Sequence, residues 1–377
     1  MRLLTLLFLC TLSGAQAQTL WRLELPSPGG PLPVHLSIAE KEAYIINAEE
    51  KLAFDEVKRN GDTLALKMDL YDLEIKLNIK TKSVYRTAEF LAQENETRRF
   101  IGAEPAQKLG GRYEIQFVNP STNKVSPAVG VFTVNGSSVT GSFLSTTGDH
   151  RYLQGNILGD TLYLSTLGST ATLYKARIAG DKLLGGTSYN PFASGSTFSG
   201  QSSETYELPE ADKLTYLKEG VTQFDFSFPD LKGRSVSLSD PAFKGKITVV
   251  QLLGTWCPNC MDETRFLLNY SQAHPDVAVL GLAFERSADP AVAHPKIERF
   301  IQRYGVNYPI LLAGTIEEAG QKLPQLNHVM AFPTSIVVDK KGQVRKIHTG
   351  FSGPGTGKYY EAYVKEFSAL IDALRRE

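Results

Sequence analysis

Leu64, Leu66, Met68 and Leu70 alternate with Lys67 and Asp69, and after a turn near Tyr71 and Asp72 the alternation resumes. There Leu73, Ile75, Leu77 and Ile79 are set against Glu74, Lys76 and Asn78. Successive side chains of a strand point to opposite faces, so this period of two predicts a hairpin with one face on a core. The same period runs through GRYEIQFV, VFTVNGSSVTGSF with its Asn135–Gly136 turn, GDTLYLST and ATLYKARI. No helical stretch interrupts most of the chain from Thr19 to about Tyr206, and an all-β antiparallel barrel or sandwich is expected there. The Gly- and Ser-rich segment near 190 to 203 reads as a loop or last edge strand, and ELPEADKLTYLKEG as a polar connector.

Beyond about residue 220 the texture becomes strands alternating with helices. ITVVQLLG (247–254), VAVLGLAF (277–284) and TSIVVD (334–339) read as buried strands, the last followed by a Lys341–Gly342 turn and the partner VRKIHTG. Helices are expected after Cys257, over roughly 291–304, and at the end of the chain. In the last helix Tyr360, Tyr363, Phe367, Leu370, Ile371 and Leu374 fall at helical spacing and predict a core stripe. The expected organisation is a signal segment 1–17, a β domain 18–210, a linker 211–222 and an α/β domain 223–377 with its sheet covered on both faces.

A length of 377 residues agrees with two cores rather than one. Forty basic and 40 acidic residues give a formal net charge of zero, so composition offers no electrostatic footprint for nucleic acid or an anionic membrane. At the start of the chain Arg2 precedes an apolar run from Leu3 to Leu12 that ends in Ala15-Gln16-Ala17, the small-x-small pattern of a cleaved secretory signal. The run is well short of the ~20 residues of a spanning helix. Cys10 lies within it, but bulky Phe8 and Leu9 stand where a lipobox carries small residues.

Removal of the signal leaves Cys257 and Cys260 as the cysteines of the mature chain. A bridge across two residues closes almost no loop, so this pair does not build a stabilising framework. Cys257 stands where a strand ends and a helix begins, with Pro258 suited to the first helical turn. Free N–H groups and the helix dipole favour thiolate there, which predicts Cys257 as the attacking nucleophile and Cys260, one turn on, as the resolving thiol. Such a couple carries its own electrons and calls for no cofactor or metal.

Residues 223–377 resemble the TlpA/ResA-like thiol-disulfide oxidoreductases of the thioredoxin superfamily. The resemblance rests on FDFSFPDLKGRSVSLSD, on LLGTWCPNC, on Glu263 three residues after Cys260, and on FPTSIVVDKKGQV. It implies a thioredoxin fold, a Pro333 that is cis and packs on the disulfide, and a Phe332 backbone that pairs with an extended substrate. It implies Trp256 as a shielding aromatic, protein thiols and disulfides as substrates, and a reductase in the periplasm kept reduced by a membrane-bound electron donor. Six residues before Cys257 stands Gln251, where thioredoxins proper carry a proton-moving Asp; Gln cannot serve. Glu263 shares a helix face with Cys260, and the resemblance implies that a carboxylate there serves the thiols, so Glu263 is the expected proton acceptor.

This chain departs from many relatives in its Pro258-Asn259 dipeptide and in the bulk of Phe332. Two alternatives compete with the reductase. A peroxiredoxin places Thr three residues before its cysteine, whereas Thr255 is two before Cys257. A copper-binding chaperone of the same superfamily would pair the two thiolates with His328, although three residues usually separate its cysteines. A structural zinc site needs four ligands, and His274, His294 and His348 show no ligand spacing.

Overall fold

The computed structural model describes residues 18–71, 73–84, 92–190 and 193–377; the expected signal segment, Cys10 and Asp72 lie outside the described residues. Eight antiparallel strands between Arg112 and Ser202 pair in chain order. The last, Ala193–Ser202, hydrogen-bonds to the first, Arg112–Val118, and closes a barrel. The N-terminal region is therefore all-β, and this part of it is a barrel rather than a sandwich. The segment expected to be a loop or edge strand has partners on both sides. Its small residues are what let it fit: a Cβ on Gly195 would lie 2.4 Å from the Ser188 carbonyl oxygen, and one on Gly200 2.6 Å from Ile115 Cδ1. Tyr113, Ile115, Phe143, Leu153, Leu164 and Ile178 fill the barrel interior.

Ahead of the barrel lie a five-stranded and a four-stranded sheet, whose joint core of Leu23, Leu36, Ile45, Leu66, Met68 and Leu77 also takes in Leu167 and Leu173 from the barrel. The hairpin read from residues 64–79 is present as Thr63–Met68 against Leu73–Asn78. Leu70 is the exception: the strand ends at Met68, and Asp69–Tyr71 forms a single 3-10 turn. Leu70 packs instead against the core of the C-terminal region, and Tyr71 against both cores.

The C-terminal region is built on a five-stranded sheet in the order Ile310–Thr315, Val277–Glu285, Ile247–Leu253, Thr334–Val338, Val344–Thr349. The first three strands are parallel and the last two antiparallel to their neighbours. Ile310–Thr315 is a further strand, not among those expected from the sequence: a short buried edge with no alternation to mark it. One face of the sheet is covered by α1 (Pro258–Ala273), α2 (Pro290–Tyr304) and α4 (Lys358–Arg376), and the predicted stripe of α4 lies in that core. The four-residue α3 (Ala319–Lys322) and Phe224, Phe226 and Phe243 pack on the other face. Among the described residues no helix is long and apolar enough to cross a membrane.

Capping fixes α2 locally. Asp289 accepts a hydrogen bond from the Ala291 N–H at 2.9 Å, Pro290 opens the first turn, and Gly305 ends the helix in the left-handed region at φ 64°. Asp289→Ala is expected to lower stability by about 1 kcal/mol, read as a shift of the urea midpoint at unchanged slope.

Candidate active site

The central strand Ile247–Leu253 is buried along its whole length, and at its end the chain turns through Gly254–Trp256 into α1. Cys257 is the N-cap of α1 with extended backbone, and its Sγ accepts the Cys260 N–H at 3.2 Å. That donor has no partner within the helix and so is free to stabilise negative charge on the sulfur. Cys257 and Cys260 are joined as a disulfide with Cα atoms 5.3 Å apart. Cys257 is 4% exposed and Cys260 fully buried.

Trp256 and Phe332 lie on one side of the pair. The Trp256 indole N–H donates to the Phe284 carbonyl at 3.0 Å, and its ring meets Phe332 edge-on with centroids 5.8 Å apart. A Cβ on Gly254 would come within 2.2 Å of that indole, so glycine is required where the ring folds over the strand end. Cys257 Sγ is 3.4 Å from the Phe332 carbonyl oxygen, and the Phe332–Pro333 bond is cis, as the resemblance implies. Pro333 is buried. Thr255 is committed elsewhere: its N–H and hydroxyl both donate to the buried Glu285 carboxylate, at 2.8 and 2.9 Å.

Glu263 lies beneath the cysteines and is fully buried. Burial pushes its pKa up to about 7, against the opposing effect of a hydrogen bond from Gln251. Gln251, which cannot carry a proton, is the link between Glu263 and Cys260. Its amide donates to Glu263 Oε2 at 2.9 Å and to the Cys260 carbonyl at 3.2 Å, while its own oxygen accepts from Thr264 at 2.9 Å. It thus holds the carboxyl group against the turn of helix that carries Cys260. Strand Ile247–Leu253 and helix α1 share a core, so a polar residue on that strand facing α1 was the available signal.

The other histidines considered for metal lie apart from the sulfurs in their bonding. His328 is exposed, with Nδ1 2.6 Å from the Asn327 amide nitrogen; His348 pairs with Asp212, and His274 packs on the Tyr270 ring. Among the described residues no group of three or more His, Cys, Asp or Glu is arranged to hold a metal ion.

Residues 218–363 match the Redoxin family model. Over 138 residues the chain is 33% identical to thiol-disulfide oxidoreductase ResA of Geobacillus kaustophilus (strain HTA426), which covers 36% of this chain and 72% of that relative. The chain belongs to the TlpA/ResA-like thiol-disulfide oxidoreductases of the thioredoxin superfamily. A thioredoxin-like protein of Bacillus subtilis (strain 168), YneN, is 30% identical over 148 residues, 39% of this chain and 78% of its own. The solved structure of a DsbF homologue from Corynebacterium diphtheriae covers 45% of this chain and 99% of its own at 20% identity, with a TM-score of 0.32. Within this thiol-disulfide oxidoreductase the matched region carries the thioredoxin-like fold and both cysteines. The β region lies ahead of the match.

Several groups around the pair come from that β region and left no motif in the sequence. Arg151, in the left-handed conformation at φ 60°, extends its guanidinium across the domain contact. It donates to the Pro258 carbonyl at 2.8 Å and to Asp262 at 2.6 Å, and it also pairs with Glu50. The Asn259 amide donates to the Asp149 carbonyl at 3.0 Å. The Asp149 carboxyl accepts from the Gly353 and Arg151 N–H groups, and burial, then the Asp262 charge, pushes its pKa up to about 6.

Proposed function

We propose that this enzyme is an extracytoplasmic protein-disulfide reductase that works through the Cys257–Cys260 couple. The Cys257 thiolate attacks one sulfur of a substrate disulfide; a mixed disulfide forms and the other substrate sulfur leaves as a thiolate that takes up a proton. Cys260 then gives its proton to Glu263 and attacks Cys257 Sγ, releasing the second substrate thiolate and closing the internal disulfide. Two electrons pass to the substrate, and a membrane-bound dithiol donor returns the oxidised couple to the reduced form. Trp256, Phe332 and Pro333 shape the groove for the substrate chain. The units are a signal 1–17, a β domain 18–210, a linker 211–222 and the catalytic domain 223–377.

The observation that carries this reading is the succession of three groups over the first two turns of α1: Cys257 at the N-cap, Cys260 one turn on, and beyond it the buried Glu263 carboxyl, whose pKa of about 7 suits proton transfer. Arg2, the apolar run and Ala15-Gln16-Ala17 support the extracytoplasmic assignment. The test uses a protein substrate containing one disulfide. Cys260→Ser is expected to accumulate the mixed disulfide through Cys257, visible as a mass adduct that dithiothreitol removes, and Cys257→Ser to form none. An adduct through residue 260, or equal trapping by both variants, would remove the assigned roles.

A further inference from the structure

A mixed disulfide places a substrate sulfur about 2 Å from the attacking sulfur, with the substrate chain attached to it. Cys257 is 4% exposed in the disulfide form, so little of it meets solvent. Beside the pair lies the turn 145–152 of the barrel, between strands Ser138–Ser145 and Leu153–Leu158. It grips both residues that separate the cysteines: Arg151 holds the Pro258 carbonyl and the Asp149 carbonyl holds the Asn259 side chain. Backbone packs on backbone beside them. A Cβ on Gly148 would lie 2.1 Å from the Asn259 amide nitrogen and 3.1 Å from the Phe351 carbonyl, and one on Gly350 2.9 Å from the Thr147 carbonyl carbon.

The contact is also largely polar. The polar groups of the turn meet α1 through a guanidinium and the carboxylates of Glu50 and Asp262, each mostly removed from water. Buried ion pairs of this kind cost much of their attraction in desolvation and contribute little net free energy to docking. On the apolar side, Leu70 and Tyr71 are the β-region residues packed against the core beneath α1, and the Tyr71 hydroxyl meets Met261 Sδ at 3.2 Å. Interfaces between domains that are polar and small in apolar area open readily.

We propose that the turn 145–152 is a specificity-determining cover of the redox pair: docked, it keeps disulfides on folded protein surfaces away from Cys257 and selects for small or extended substrates. The β domain thereby becomes part of the enzyme's substrate selection rather than a spacer. This rests on the reductase reading for its substrates, but not for its geometry.

The full chain, reduced, is treated with N-ethylmaleimide and with a maleimide carried on a polyethylene glycol chain of several kilodaltons, and modification of Cys257 is timed by peptide mass. Rates are normalised to those of a free cysteine peptide. In the unaltered protein the bulky reagent is expected to fall behind the small one by about tenfold or more, as a locally opening cover requires. Gly148→Ala, which drives a methyl group into Asn259, and Arg151→Met, which removes the grip on Pro258, are each expected to raise the bulky-to-small ratio by about tenfold while the far-ultraviolet spectrum is retained. The same variants are expected to raise reduction of a folded protein disulfide relative to a small aliphatic disulfide by a similar factor. Equal normalised rates for the two maleimides in the unaltered protein overturn the cover, whether or not either variant folds. So does a folded variant that keeps the original ratio. Failure of the reductase reading is a separate result: no exchange with either disulfide, while the maleimide ratio still reports on the cover.

Discussion

Glu263→Gln is expected to slow the resolving step by roughly 10²-fold or more, the usual contribution of a positioned base, and to erase the ionisation near pH 7 from the rate profile. Cys260 is fully buried, so its proton has no direct path to water, and in the proposed mechanism the Glu263 carboxyl takes it. A carboxyl with a pKa of about 7 exists in both forms at neutral pH, and can accept that proton and release it within one cycle. Gln fills the same space and still accepts the Gln251 hydrogen bond, so the fold is kept. Stopped-flow reduction of a chromogenic disulfide between pH 5 and 9 measures the effect; an unchanged profile would remove the proton-transfer role.

The same substitution carries a stability signature with a definite sign. Because the folded-state pKa is raised above the ordinary value of 4.5, the native protein keeps a proton that the unfolded chain has released in the window from about 4.5 to about 7. The favourable contribution is complete below that window and is lost as pH rises through it. Glu263→Gln removes this slope, so the variant is expected to gain stability relative to the parent between pH 5 and pH 8, as read by urea midpoints. A constant difference across that range would show an ordinary carboxyl at 263.

Gly155→Val is expected to destabilise the barrel by about 3 kcal/mol or more, at the upper end of overpacking costs. A Cβ at 155 would lie 1.7 Å from the Tyr163 carbonyl oxygen and 2.8 Å from Leu164 Cα, all backbone of the paired strand Thr161–Leu167. No rotamer change relieves a clash with backbone. Two hydrogen-bonded strands of a closed barrel must part, and each is held from its other side. Gly159→Ala is the contrast: its φ of 59° imposes strain, but nothing lies within 4 Å, so a loss of about 1 kcal/mol is expected. Urea unfolding of both variants checks the difference; equal midpoints would mean that the strands tolerate the intrusion.

Much of the local architecture was legible in the chain. The hairpin 63–78, the buried strand before Cys257, the start of α1 at Pro258 and the stripe of α4 follow from periodicity and capping. The barrel's closing strand is legible only as a loop or last edge strand, because Gly and Ser dominate it and their contribution is an absence of bulk where Ser188 and Ile115 approach. Leu70 misled for a related reason: it continues an apolar alternation but serves a core beyond its own sheet. The value of Gln251 lies in what it holds, and hydrogen-bond partners across a strand and a helix have no spacing rule.

The chemistry of the redox pair is legible within four residues, as an N-cap sulfur, a proline at the next position and a second thiol one turn on, and the alternation of strands and helices marks the class of fold around it. The surroundings of the pair, by contrast, come from contacts between distant segments. Arg151 and Asp262 stand 111 residues apart, and Asn259 and Asp149 110, in segments whose patterns describe separate domains. Short-range conformational preference is written in neighbouring residues, whereas a contact between finished domains depends on the shapes that each has already adopted.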